Sequence, residues 1–169
     1  MKGARLSPPQ KLTAAHELSA FDSGEAALDD WLRRRALSNE TNGASRTYVV
    51  CAGDRVVAYY SLAVGAVAHA DAPGRVRRNM PDPLPVMILG RLAVDRSRQK
   101  QGLGRALLRD AVLRTLQAAE IAGIRALLVH AISDAARAFY LNHGFQPSPI
   151  HSLTLMLPLA EARRVVSPS

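Results

Sequence analysis

"RLAVDRSRQKQGLGRALLRDAV", Arg91 to Val112, contains the turn whose reading decides this fold. An apolar run ends at Asp95. A basic and amide-rich stretch follows with Arg96, Arg98, Gln99 and Lys100, and then Gly102 and Gly104 open a long amphipathic pattern. A strand that turns directly into a helix leaves backbone N–H groups unpaired at the positive end of the helix dipole, an arrangement that suits a phosphate. Glycine at 102 and 104 removes the Cβ atoms that would hold an anion at a distance. Two common phosphate-loop patterns are absent. There is no GxxxxGK[ST], and GxGxxG fails because Leu107 stands at the third glycine position. What remains is Gln99, Gly102 and Gly104 in the order QxxGxG.

Working outward, the chain reads as alternating elements. "VMILGRLAVD" before the turn is a buried strand, and "GLGRALLRDAVLRTLQAAEIAG" after it is a helix with Leu108, Val112, Thr115, Ala119 and Ala122 on one side. "IRALLVHAI" is the next strand. "SDAARAFYLNHG" starts at a Ser133/Asp134 cap and stops at Gly144 as a short helix, and "SLTLMLPL" alternates like a final strand. Upstream, "FDSGEAALDDWLRRRALSNETNG" places Asp22 three residues before Glu25 in capping-box order. Its helical apolar stripe of Ala27, Leu28, Trp31, Leu32 and Leu37 runs out near Asn42 and Gly43. "RTYVVCAGDRVVAYYSLAVGAVA" is an antiparallel hairpin around Ala52, Gly53 and Asp54. "HADAPGRVRRNMPDPLP", with prolines, arginines and no periodicity, is a loop. The expectation is an α/β fold, a mixed sheet covered by helices, in one domain over residues 1–169.

Composition narrows the partners. The 169 residues are 48% apolar and 21% charged, ordinary for a chain that buries a core. The formal net charge of +8 speaks for an anionic partner rather than for any fold. Cys51 is the only cysteine, so the sequence offers neither a disulfide framework nor a cysteine-based zinc cluster, and no metal site is expected. "MKGARLSPPQ" lacks the apolar core of a leader, and the longest apolar run, Val56 to Ala68, is interrupted and too short to span a bilayer. A cytoplasmic protein without membrane attachment is expected.

QxxGxG between a strand and a long helix, followed after another strand by "AARAFYLNHGF", resembles the GCN5-related N-acetyltransferase (GNAT) superfamily. "FDSGEAALDDWL", "PDPLPVMILGRLAVD" and "AARAFYLNHGF" look more narrowly like the acetyltransferase toxins of bacterial toxin-antitoxin modules, which acetylate the amino group of aminoacyl-tRNA. The resemblance implies acetyl-CoA as cosubstrate. Leu92, Ala93 and Val94 would lend backbone groups to its pantetheine arm and thioester. Gln99, Lys100, Gln101, Gly102, Leu103, Gly104 and Arg105 would wrap its pyrophosphate, and Ser133 would lie near its thiol or else serve only as a helix cap. It also implies a cognate antitoxin, a small ribbon-helix-helix DNA-binding protein, and leaves a homodimer open.

The same resemblance makes Tyr140 the general acid. A phenol of pKa about 10 can protonate a departing thiolate whose conjugate acid lies near about 8.5. Phe139 is then expected to face the core. "VMILGRLAV" holds no Glu, Asp or His to act as base; His69, His130 and His143 are the alternative bases, although a histidine on a strand (His130) or at a helix end (His143) is usually structural. A lysine acceptor needs such a base, whereas an α-amine of pKa about 7.7 to 8.0 is partly neutral at ordinary pH and can lose its proton to water. An α-amino acceptor, aminoacyl-tRNA or a protein N-terminus, is favoured. Arg75, Arg77, Arg78 and Arg91 are the candidate contacts to tRNA phosphates. Arg33, Arg34 and Arg35 read as a surface or antitoxin-facing run. Two alternatives stay open: an ordinary N-acetyltransferase of protein N-termini or small amines, and a non-catalytic CoA-binding regulator.

Overall fold

The computed structural model describes residues 5–166, so the first residues of the N-terminal segment and the last three residues of the expected 1–169 domain lie outside the described residues. A seven-stranded sheet runs in the order β1-β2-β3-β4-β5-β7-β6. Its strands are β1 (Gln10–Lys11), β2 (Arg46–Ala52), β3 (Arg55–Val67), β4 (Leu84–Val94), β5 (Ala126–His130), β6 (Gln146–Pro147) and β7 (Thr154–Pro158). β4 and β5 are parallel while β2 and β3, and β5 and β7, are antiparallel, so the sheet is mixed as the sequence suggests. The helices are α1 (Ala26–Trp31), α2 (Leu37–Asn42), α3 (Gly74–Arg77), α4 (Leu103–Ala122), α5 (Asp134–Leu141) and α6 (Leu159–Val166). The chain divides into two compact units, Met1–Ala63 with Arg91–Asp110, and Val64–Gly90 with Ala111–Ser169.

In the first unit, α1 and α2 are joined by a π-helical turn, Leu32–Ala36. Leu28, Leu32 and Ala36, spaced by four, are buried with Phe21, Val49, Val56 and Tyr59. The helix ends where Gly43 takes φ 82°, a left-handed conformation that relieves the last carbonyls and that a side chain resists. Its start departs from the capping-box reading. Glu25 is the N-cap and uses no side-chain bond, because the Asp29 carboxylate instead reaches back to the N–H and hydroxyl of Ser23. The hairpin forms as read, with Arg46 opposite Leu62 and a bulge at Val50/Cys51. Cys51 is buried there, and burial pushes its thiol pKa up.

In the second unit the core gathers Ala72, Val76, Leu84, Val86, Ala126, Leu128 and Met156. The segment read as a plain loop contains two short helical turns, a 3-10 turn at His69–Asp71 and α3, because Ala72 and Val76 sink into that core. β1, β6 and α6 lie outside the elements that the sequence pattern marks. The two strands are only two residues long, too short for alternation to show.

Candidate active site

The strand-to-helix turn is built by hydrogen bonds from side chains that the sequence shows only as a polar cluster. Asp95, 3% exposed at the end of β4, accepts the N–H of Asp22 on Oδ1 at 2.9 Å. Its Oδ2 accepts the N–H and hydroxyl of Ser97 at 3.0 and 2.6 Å, capping a 3-10 turn at Arg96–Arg98. Burial alone raises a carboxyl pKa, but these bonds and the nearby Arg55 guanidinium, 3.6 Å away, hold Asp95 below the ordinary value. Gln99 follows in extended conformation, and its Nε2 donates to the carbonyls of Val94 and Ser23, each at 2.8 Å.

Beyond Gln99 the backbone turns twice through the left-handed region, at Lys100 (φ 62°) and Gly102 (φ 82°). Among the described residues, the N–H groups of Leu103, Gly104 and Arg105 find no carbonyl partner. Ala106 is the first of the helix to do so, bonding the Gly102 carbonyl at 3.1 Å. A Cβ added at Gly102 or Gly104 would meet nothing within 4 Å, so open space fronts these donors. Lys100, Gln101 and Arg105 are exposed beside them. The turn therefore offers converging N–H dipoles, a helix start and room for a phosphate. On the strand side, Leu92, Ala93 and Val94 form the last residues of β4, leading into Asp95 and the turn. A cavity of about 270 Å³ lies against the first turns of α4, lined by Leu6, Pro9, Val50, Leu103, Ala106 and Leu107 among others.

The second unit holds Tyr140, and here the expectation about its neighbour reverses. Tyr140 is the inward residue at 8% exposed, whereas Phe139 is half-buried. After Gly144 turns the chain, Phe145 comes back against the Tyr140 ring at 5.3 Å, while Phe139 packs on His143 at 4.6 Å. Burial pushes the Tyr140 phenol well above its ordinary value, so it stays protonated and able to donate. No hydrogen-bond partner holds that hydroxyl among the described residues. Ser133 caps α5, its oxygen accepting the N–H of Ala136 at 3.1 Å. His69 meets the Pro81 carbonyl at 2.6 Å, His130 the Thr154 hydroxyl at 2.9 Å and His143 the Phe139 carbonyl at 2.7 Å, so each histidine has a structural bond.

The four candidate arginines are engaged differently. Arg75 pairs with Glu161 of α6 at 2.8 Å, Arg77 reaches the His69 carbonyl at 3.4 Å, and Arg78 is exposed at the end of α3. Arg91, in the other unit, lies over the Trp31 ring at 4.4 Å. The cation–π seat of Arg91 and the side-chain roles of Asp95 and Gln99 escaped the sequence reading. Only the Asp-x-Ser spacing of Asp95 and Ser97, a local capping signature, gave any sign of them.

Residues 43–147 match the acetyltransferase (GNAT) domain. The chain belongs to the GNAT acetyltransferase family. GNAT relatives match along nearly the whole chain. It is 56% identical over 160 residues, 95% of this chain and 96% of the other, to a tRNA-acetylating toxin of Mycobacterium tuberculosis (strain ATCC 25618 / H37Rv). Among solved structures, AtaT complexed with acetyl-methionyl-tRNAfMet is similar at TM-score 0.88 and 30% identity, covering 96% of this chain and 100% of that one. A variant AtaT toxin bound to the C-terminus of the antitoxin AtaR and acetyl-CoA is similar at TM-score 0.83 and 29% identity, covering 96% and 99%. Among the described residues no helix is long and apolar enough to cross a membrane, and no group of His, Cys, Asp or Glu is placed to hold a metal.

Proposed function

We propose that this GNAT protein is a toxin that transfers acetyl from acetyl-CoA to the α-amino group of aminoacyl-tRNA and so blocks translation. The observation that carries this reading is the 56% identity, over 95% of the chain, to a tRNA-acetylating toxin. The whole chain, residues 1–169, acts as one acetyltransferase domain.

In this reading the Gln99–Arg105 turn receives the CoA diphosphate on backbone N–H groups, with Lys100 and Arg105 adding charge. Leu92, Ala93 and Val94 present strand backbone to the pantetheine arm, and Ser133, beyond its capping bond, lies near the thiol. The amine nitrogen bonds to the acetyl carbon, the carbon–sulfur bond breaks, and the departing thiolate takes the Tyr140 phenolic proton. Water accepts the proton lost by the amine, and the phenol is restored from solvent. The phenol keeps its proton at the pH of turnover, as an ordinary tyrosine also does, so a proton is in place to be given; burial holds it there more firmly and does not strengthen the acid. The histidines already committed to structural bonds fit an acceptor amine that needs no side-chain base.

Arg75, Arg77, Arg78 and Arg91 bind acceptor-stem phosphates without reading bases. A cognate antitoxin of the ribbon-helix-helix type covers the basic surface, and the enzyme works in the cytoplasm. The test offers labelled acetyl-CoA to charged tRNA, uncharged tRNA and a panel of protein N-termini. Label recovered as N-acetyl-aminoacyl-tRNA, with none on uncharged tRNA, is the expected result. Label on protein alone would move the assignment to an ordinary N-terminal acetyltransferase, and no transfer from a chain that still binds CoA would point to a regulator.

A further inference from the structure

The Gln99 side chain is exposed yet tied to backbone at two points. Its carboxamide nitrogen bridges two carbonyls, Val94 at the end of β4 and Ser23 in the segment before α1, each at 2.8 Å. The Ser23 segment is itself fixed. The Ser23 hydroxyl donates to Asp29 at 2.6 Å, and Asp29 is buried in the first turn of α1. Its neighbour Asp22 donates its N–H to Asp95 and accepts the Arg96 N–H on its carbonyl at 2.8 Å. The Asp22 carboxylate closes the short turn by accepting the Gly24 N–H at 3.0 Å and the Arg96 Nε at 3.2 Å. The residue after Gln99 enters the left-handed region at φ 62° without being glycine, a conformation that persists only where its surroundings enforce it.

We infer that Gln99 is a positioning residue: by buckling the phosphate turn onto the Asp22–Gly24 segment, its carboxamide sets where the N–H groups of Leu103, Gly104 and Arg105 point, without itself touching the ligand. The inference rests on the reading of this turn as the acetyl-CoA diphosphate site. Its chemistry requires a donor at this position. A carboxylate would set negative oxygen against two carbonyls and push the turn off its seat, whereas a guanidinium would restore N–H groups toward them.

The experiment measures acetyl-CoA and S-acetylpantetheine binding by calorimetry, with steady-state kinetics on charged tRNA, for wild type, Gln99→Glu and Gln99→Arg. Thermal unfolding monitors the fold. Gln99→Glu should weaken acetyl-CoA about tenfold or more, with the loss expressed in KM for acetyl-CoA rather than in kcat. The advantage of acetyl-CoA over S-acetylpantetheine should collapse, because only the former carries the diphosphate. Gln99→Arg should recover most of the affinity. Equal weakening of both donors, or unchanged acetyl-CoA affinity in Gln99→Glu, would overturn the inference. A wild-type chain that binds no acetyl-CoA would instead remove the functional reading beneath it. Should Gln99→Glu fail to fold, Asp22→Ala removes the exposed carboxylate that closes the opposing segment. It should weaken acetyl-CoA selectively in the same way, and its failure to do so would equally overturn the inference.

Discussion

The Arg75 guanidinium is joined to the Glu161 carboxylate at 2.8 Å, so a candidate tRNA contact already has an anionic partner in the C-terminal helix. Arg75 is 62% exposed and Glu161 20%, which makes the pair accessible to exchange with a phosphate. Exposed pairs contribute only about 0 to 1 kcal/mol to stability, so neither Arg75→Ala nor Glu161→Gln should shift unfolding much. Their effects on substrate should oppose each other. Arg75→Ala should raise KM for charged tRNA and reduce the salt slope by about 0.7 to 0.9, and Glu161→Gln, which frees the guanidinium, should lower KM. Kinetics over a salt series reads both.

Two glycines of one turn should respond differently to substitution. Gly104 has no positive φ and open space before its Cβ position, so Gly104→Val should fold normally while placing two methyl groups where the phosphate approaches. Gly102 sits at φ 82°, and Gly102→Ala should lose roughly 1 kcal/mol of stability from the backbone alone. Calorimetric titration with acetyl-CoA alongside thermal melts separates the two. Full affinity in Gly104→Val would remove this turn from the binding site.

Tyr140→Phe should leave folding within about 0.5 kcal/mol of wild type, since no bond to the phenol is lost among the described residues. Turnover should fall by about 10²- to 10⁴-fold with both KM values little changed, the mark of a lost general acid. The pH dependence has a definite sign. A phenol whose folded pKa exceeds its unfolded value near about 10 stabilises the fold fully below that pH, and the contribution is lost as pH rises above it. Wild-type stability should therefore drop relative to Tyr140→Phe only in strongly alkaline buffer, measured by denaturant titration at each pH.

Asp95 behaves in the opposite sense. Its folded pKa lies below the unfolded value of about 3.9, so its stabilisation is present above that pH and fades as pH falls through the folded value. Asp95→Asn should cost about 1 to 3 kcal/mol at neutral pH, because the amide keeps one acceptor oxygen and its nitrogen then confronts one of the two N–H groups, of Asp22 or of Ser97, that the carboxylate accepts on separate oxygens. Acid unfolding of this variant should also lose part of the wild-type dependence between pH about 4 and the folded pKa, and an unchanged acid limb would reject Asp95 as its source.

What the sequence determined alone is everything written in local period and turn chemistry. Apolar, β-rich runs around Ala52, Gly53 and Asp54 mark β2 and β3, the helical stripe marks α4, Gly43 marks a helix end, and QxxGxG marks a strand delivering backbone donors into a helix start. These features rest on residues within a few positions of one another, so neighbouring letters suffice. Tertiary structure decided the rest, because the deciding partners are remote along the chain. Tyr140 rather than Phe139 turns inward because Phe145 returns against it from β6's approach, Arg91 settles on Trp31, and Arg75 meets Glu161. The identity of Gln99 is visible in the sequence, but its bridge to Ser23 crosses 76 positions. No periodicity reports where an amide nitrogen will find its second carbonyl. That is settled only when packing of α1 and the end of β4 brings the two backbone segments within hydrogen-bonding distance.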